Sequence, residues 1–440
     1  MLEANLAIIR ELKLFVSCVQ KDPELLSKFA TTACAFSRIR KLPFDRLVLL
    51  ITKLCKKTLS VELDTFFEEL SAPVSCSVSA FTQQRMKLEP YFFQLWNHLL
   101  VKCYYHYYGN TIKRWKGYKV VAADGSNISL INTPILKQHF GGQSNQRGEF
   151  VQAKVFYCYD VLNEIVVFSK IKPYRYGELA MAYESVDLLE DDMVMIYDRL
   201  YGNYRMIALH LWQEKEIKFV IRGNEQQRFI QEFIKSGQSD ATVFIPPTTS
   251  AVRGLKQQGY HVDDNTLLKV RLIRVELEKS IEVLITNLWL EEGHLTGEFK
   301  TLYFKRWGIE TNIALQKNIL RLESFSGLTA QSVEQDFFAT VFISNLHSIL
   351  IKEVQANIGQ TYAKRMHAVK VNKSKTYGKL RENIVALFIT KHPEEILKIV
   401  NAYFIRNPVT VRPGRTFERI IKNMQAKSKH KTFINYKPAF

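Results

Sequence analysis

GYKVVAADGS (117–126), FVQAKVFYCYD (150–160), NEIVVFSKIKP (163–173), MVMIYD (193–198) and KFVIRG (218–223) follow one another in the middle of the chain. Each is a short apolar run rich in Val, Ile, Phe or Tyr and closed by turn residues, the pattern of a buried strand. Between them, residues 178–189 and NYRMIALHLWQEK (203–215) space their apolar residues as helices do. Three strands, a helix, a strand, a helix and a strand predict an α/β layered domain with a mixed sheet.

Working outward, LAIIRELKLF (6–15) and PYFFQLWNHLLVKCYYHYY (90–108) read as helices, with Pro and Ser breaks around 71–79. SVSAFTQQRMKL (77–88) looks like a capped helix start with Ser79 before Ala80, and carries Arg85 and Lys87 on its following turns. It is either an ordinary amphipathic helix or one that lies on DNA. Residues 224–281 alternate apolar and polar positions among turn residues and suggest a small β-rich insertion. VLITNL (283–288) returns to a buried strand, 301–321 reads as one strong helix, and 337–351 as a buried helix too short for a membrane span.

The composition narrows the function. With 440 residues, 47% hydrophobic and 24% charged, this is a folded chain of more than one domain. The start lacks the pattern of a signal peptide. Six cysteines stand far apart without a Cys-x-x-Cys pair, and the ten histidines form no zinc-hydrolase motif. A reduced, cytoplasmic protein is expected. Lys and Arg number 61 against 43 acids, a net +18. Residues 361–440 hold eighteen Lys and Arg against four acids, so most of the excess sits there. Such a segment usually meets a polyanion, nucleic acid before an anionic membrane, the alternative being a solvated basic surface. The aromatics Tyr377, Tyr403, Phe404, Phe417, Phe433 and Tyr436 are interleaved with it.

Three acids draw notice: Asp124 after VVAA, Asp198 after VMIY, and Glu310 in the later helix. Ligands gather beyond the carboxyl ends of strands in open α/β sheets, so two strand-end acids can share one locus. A third carboxylate from a helix completes an oxygen cage of the kind Mg²⁺ prefers. Each acid also has a plain reading, and Asp124-Gly125-Ser126 makes a good turn. In LYFKRWGIETNIALQK (302–317), Tyr303, Arg306, Glu310 and Lys317 fall within about 60° of one another on a helix. Arg306 and Glu310 either pair at i, i+4 or serve phosphate and metal.

These four residues carry a resemblance. The chain is similar to the DDE transposases of bacterial insertion sequences, in the family with the signature Tyr-x2-Arg-x3-Glu-x6-Lys, which Tyr303, Arg306, Glu310 and Lys317 match at every gap. DGS at Asp124, DRxY at 198–201, FVIR at Phe219, LITNL at Leu284 and NL at Asn345 fit it too. The resemblance implies an RNase H-like catalytic core, a mixed sheet with flanking helices, interrupted by a β-rich insertion. The separation of 112 residues from Asp198 to Glu310 leaves room for one. It further implies Asp124, Asp198 and Glu310 as the catalytic, metal-binding triad for two Mg²⁺ ions, with Mn²⁺ as an alternative. Tyr303, Arg306, Lys317, Arg199 and Tyr201 would bind DNA. Leu200 departs from the Gly usual in that turn, and Glu282 stands where some relatives carry a base-stacking Trp.

The expected architecture is a helical N-terminal DNA-binding domain over 1–112, the core's first part over 113–222, the insertion over 223–282 and the core's second part over 283–350. A basic, mostly helical C-terminal region for DNA binding or dimerisation takes 351–440. The expected activity is metal-dependent cut-and-paste transposition in the bacterial cytoplasm, at the nucleoid. Its DNA partners are double-stranded terminal inverted repeats and target DNA, held by a dimer on paired ends, with no membrane involved. The alternative is a catalytically silent, transposase-derived DNA-binding protein. A tyrosine recombinase is disfavoured, because no histidine has Arg three residues on.

Overall fold

The structure is a computed structural model that describes residues 2–414 apart from 39, 54, 55, 73, 74, 146, 147, 216, 279 and 413. Six helices come first among the described residues: α1 Leu2–Lys21, α2 Pro23–Ser27, α3 Phe44–Thr52, α4 Leu59–Glu69, α5 Val78–Arg85 and α6 Tyr91–Tyr108. Then follow β1 Lys119–Ser129, α7 Pro134–Phe140, β2 Gly142–Asn145, β3 Gly148–Asp160, β4 Ile165–Pro173, α8 Glu178–Ser185 and β5 Met193–Tyr197. A 3-10 turn, Arg199–Tyr201, leads to α9 Tyr204–Leu211, β6 Lys218–Arg222, α10 Arg228–Ser236, β7 Asp240–Ile245, α11 Thr249–Gln257, β8 Leu268–Glu276 and β9 Ile281–Thr286. The order continues with α12 Phe299–Phe304, α13 Trp307–Asn318, α14 Ala330–Thr361, β10 Val369–Val371, α15 Lys373–Ile389, α16 Pro393–Arg406 and β11 Pro408–Thr410.

The chain divides into two compact units. One comprises Ile112–Asn127 and Lys154–Ile313. In it β1, β5 and β6 lie side by side and parallel, and β9, β8 and β7 continue the sheet by antiparallel pairing. On the other side of β1 come β3 and then β4. Alternation along β1 sends Val121 and Ala123 into one apolar layer with Met181, Met195, Ile207 and Phe219. Val120 enters a second layer with Val194, Ile196, Val220, Phe299 and Leu302. A sheet covered on both faces explains why its parallel strands read as unbroken apolar runs.

The other unit comprises Met1–Thr111, Ile128–Ala153 and the described part of Ala314–Phe440. Its central element is α14, which packs against α6, α3 and α16. Trp96 of α6 stacks on Phe342 of α14 with ring centroids 4.0 Å apart. By length and composition α14 would suit a membrane, yet 89% of its apolar window is buried inside the protein. The buried helix expected over 337–351 is this one.

Several expectations need correction. The amino- and carboxyl-terminal helices, expected as separate regions, pack in one unit, and residues 314–350 belong with them. Segment 223–282 is not mainly β. Helices α10 and α11 carry the amphipathic stretches RFIQEFIKS and TSAVRGLKQ, while β7 and β8 extend the central sheet instead of forming a body of their own. β9 pairs on both edges, with β6 and β8, which removes any boundary there. The cap of α5 is Ser77, whose hydroxyl accepts the Ala80 N–H, not Ser79. Tyr377 and Phe404 are core residues, and Tyr377 stacks on His347 at 3.6 Å. Phe417, Phe433 and Tyr436 lie outside the described residues.

Candidate functional site

The β1–β5 register places Lys119 opposite Met193 and Ala122 opposite Ile196. Two residues further along these parallel strands, which run about 4.8 Å apart, come Asp124, still within β1, and Asp198, just past the end of β5. Both continue the set of Val120, Val194 and Ile196, the layer that α12 covers. Asp124 is not at a strand tip followed by a turn, as its DGS sequence suggested. β1 runs straight on to Ser129, and Gly125 keeps extended backbone. The glycine answers a different demand: a Cβ there would collide with the carboxylate of Glu178.

Asp198 sits just past β5 and caps the 3-10 turn, its Oδ1 accepting the Leu200 N–H at 2.8 Å. Leu200 adopts an ordinary right-handed backbone, so the missing Gly has no conformational cost. Arg199 and Leu200 are exposed, whereas Tyr201 is fully buried and donates its hydroxyl to Glu178 Oε1 at 2.8 Å.

The third acid lies beyond an interrupted helix. The single helix expected over 301–321 breaks between α12 and α13, where the Arg306 N–H donates to Tyr303 and that of Ile309 to Arg306. These three-residue spacings tighten the chain, and Gly308 lets it approach Val161 closely. Of the two readings of Arg306 and Glu310, the pair is formed: the guanidinium donates to Glu310 Oε1 at 2.7 Å. Lys317 lies in the last turn of α13 and falls in the other unit.

Electrostatics gathers these groups. Burial pushes the Asp124 carboxyl up to about 7, with the negative charges of Glu178 and Asp198 adding to the rise. Arg306 and the Gly125 N–H, which donates to Asp124 Oδ1 at 2.9 Å, offset only part of it. Burial works against the Arg306 charge, but the bond to Glu310 and the fields of Tyr303 and Asp124 hold its pKa above the usual value. Tyr303 is pushed up by burial and feels Arg222, Glu282 and Asp198. Arg222 and Glu282 pair at 2.9 Å. The structure thus brings Asp124, Asp198, Tyr303 and Arg306 into one electrostatic cluster, to which Arg306 tethers Glu310.

Among the described residues, no three acidic, His or Cys side chains already converge as a cation cage. The donor set nevertheless suits a hard divalent ion. It offers carboxylate oxygens, one of them raised to about 7 chiefly by burial and further by the negative charges of Glu178 and Asp198, which a cation would offset.

Residues 115–346 match the family model of the transposase DDE domain, more than half of the chain. The chain belongs to this family. No curated protein matches it. A solved structure that resembles it is a piggyBac transposase synaptic complex with hairpin DNA, at 10% identity and a TM-score of 0.42, covering 90% of this chain and 81% of that one. As a member of the transposase DDE family, the protein carries Asp124, Asp198 and Glu310 inside the matched span. Glu178 was missed by reading the sequence. Its only trace there is an acid opening the helix after the third long strand, a common feature of helix first turns.

Proposed function

We propose that this transposase of the DDE family derives from a bacterial insertion sequence and has an RNase H-like core. In this reading it nicks double-stranded DNA at terminal inverted repeats and joins the freed 3′-hydroxyl to target DNA, acting as a dimer on paired ends in the cytoplasm, at the nucleoid. The observation that supports it most is the cluster in which Asp124 and Asp198, each two residues beyond the paired Ala122 and Ile196, sit within electrostatic reach of each other and of the Arg306–Glu310 pair. Asp124, Asp198 and Glu310 would hold two Mg²⁺ or Mn²⁺ ions. When bound, these would activate water and then the 3′-hydroxyl for in-line attack on phosphorus.

The side chains divide the remaining work. Asp124 and Asp198 supply oxygens from a rigid sheet, which fixes where the reacting phosphate can sit. Arg306 offers a forked donor suited to a phosphodiester, and its release from Glu310 on meeting DNA would free that carboxylate. Tyr303, Lys317 and Arg199 would grip the DNA end, whereas Tyr201, expected to do so from the sequence, has no exposed surface and its hydroxyl is held by Glu178. The α-helical N-terminal segment and basic C-terminal region would add sequence-independent affinity that falls with salt.

The same Arg306–Glu310 bond favours a second reading, a catalytically silent DNA-binding protein whose third acid is permanently occupied. One assay separates the two. Purified protein is incubated with its native flanking ends, a target plasmid and Mg²⁺ or Mn²⁺. Strand transfer by wild type that disappears in Asp198→Ala and Glu310→Gln is expected. Cleavage that persists in Glu310→Gln would refute the triad. DNA binding under chelation, with no cleavage under either metal, would support the silent protein.

A further inference from the structure

Glu178 joins the two strands that carry the acid pair, and no part of the transposition reading uses it. It is the first residue of α8, a helix anchored by buried Met181 and Ala182. Its carboxylate lies against the backbone of Gly125, the residue after Asp124, so closely that even a methyl group there would collide. The same carboxylate accepts the hydroxyl of Tyr201, three residues after Asp198, at 2.8 Å. Tyr201 has no exposed surface, and its ring packs against Tyr197, the last residue of β5, with centroids 5.2 Å apart. A buried phenol needs an acceptor, and Glu178 is the one it has.

The side of the sheet matters. Asp124 and Asp198 continue the alternation of Val120, Val194 and Ile196 toward the layer under α12. Gly125 and Tyr201 belong with the opposite layer, which holds Met181, Ala182 and Tyr197. Glu178 therefore reaches the pair from behind.

We infer that Glu178 is a positioning residue: by bearing on Gly125 and holding Tyr201 it sets the spacing at which Asp124 and Asp198 face a divalent cation. The inference rests on the proposal that this pair binds such an ion. Groups that orient metal ligands from behind typically change metal affinity by about 10–100-fold when removed.

The test is Mn²⁺ titration of the full chain, followed by the loss of the free-ion electron paramagnetic resonance signal, with circular dichroism to check folding. Tyr201→Phe removes the hydrogen bond without altering charge, and it is expected to weaken Mn²⁺ binding by about tenfold with the fold intact. Glu178→Gln keeps an acceptor for Tyr201, so it should bind at least about threefold more tightly than Glu178→Ala. Gly125→Ala, which pushes the carboxylate away, should weaken binding too, and combining it with Glu178→Ala should add little. Tyr201→Phe indistinguishable from wild type would overturn the inference. So would Glu178→Gln as weak as Glu178→Ala, because charge alone would then account for the effect. Asp124→Asn provides the separate control: unchanged Mn²⁺ binding in that variant would refute the cation reading itself, whatever the Glu178 variants do.

Discussion

Replacing Arg85 by Ala separates a side chain that holds the fold from one that touches DNA. Arg85 ends α5 with 1% of its surface exposed. Its Nε donates to Gln335 Oε1 at 2.9 Å, Nη1 to Ser326 Oγ at 2.7 Å, and Nη2 to Asp336 Oδ1 at 3.0 Å and to the Ser332 carbonyl at 3.2 Å. The guanidinium also lies 5.3 Å from the Phe81 ring centroid. Truncation takes the guanidinium away from Asp336, itself 6% exposed, whose carboxylate still accepts from the Ser326 N–H and hydroxyl but loses its buried cation. Removing one partner of a buried pair costs about 3–5 kcal/mol. At about 2–4 °C per kcal/mol for a unit of this size, the melting temperature should drop by roughly 6–20 °C. The assay pairs differential scanning calorimetry with DNA binding measured at several salt concentrations. Arg85→Ala is expected to melt early while the salt slope, measured where the variant is folded, stays unchanged. Arg85→Met combined with Asp336→Leu should recover much of the loss, since no charge is then stranded. A variant that melts within about 2 °C of wild type but loses about one unit of salt slope would place Arg85 on a phosphate and refute the reasoning.

Three further outcomes follow from the buried groups. Asp124 has a folded pKa raised to about 7 from 3.8, so its ionisation opposes folding increasingly as pH climbs between those values. Asp124→Asn should therefore be more stable than wild type by on the order of 2–4 kcal/mol at pH 8, with no advantage near pH 4, in paired thermal melts. His210 bonds the Met206 carbonyl through Nδ1 and the Tyr197 hydroxyl through Nε2, and burial lowers its pKa to about 4. Its contribution is whole above pH 6.5 and falls away toward pH 4, by up to about 3 kcal/mol. Urea titrations should show His210→Gln lacking that portion of the acid loss, and an unchanged slope between pH 4 and 6.5 would contradict it. His347 Nε2 meets Thr376 Oγ1 at 2.7 Å in the core of the α14 unit. Thr376→Val should cost about 1–3 kcal/mol in urea unfolding, and a neutral result would mean the ring finds another partner.

Much of the sheet-bearing unit was legible because its strands are buried on both faces. Double-sided burial leaves almost no polar residue inside a run, so MVMIY and KFVIR stand out, and Asp198 after the first and Gly223 after the second mark where each strand ends. The Arg306–Glu310 pair was legible as well, since four residues of helix spacing guarantee proximity even across the break at 305–306. The 223–282 segment was harder. Its β8 has the alternation of a half-exposed strand, and nothing local says whether such a strand founds a new sheet or joins an old one.

From its order of residues alone, this chain determined its buried parallel strands, the acid that follows MVMIY and the Arg306–Glu310 spacing, because those depend on periodicity and on neighbours a few residues apart. Tertiary structure decided the rest. Arg85 became an internal strut because helix α14, some 250 residues away, supplies Gln335 and Asp336. Gly125 turned from a turn residue into a contact surface because Glu178 arrives from another element. Both outcomes depend on which distant side chain fills a given space, and packing settles that only once the whole chain has closed around it.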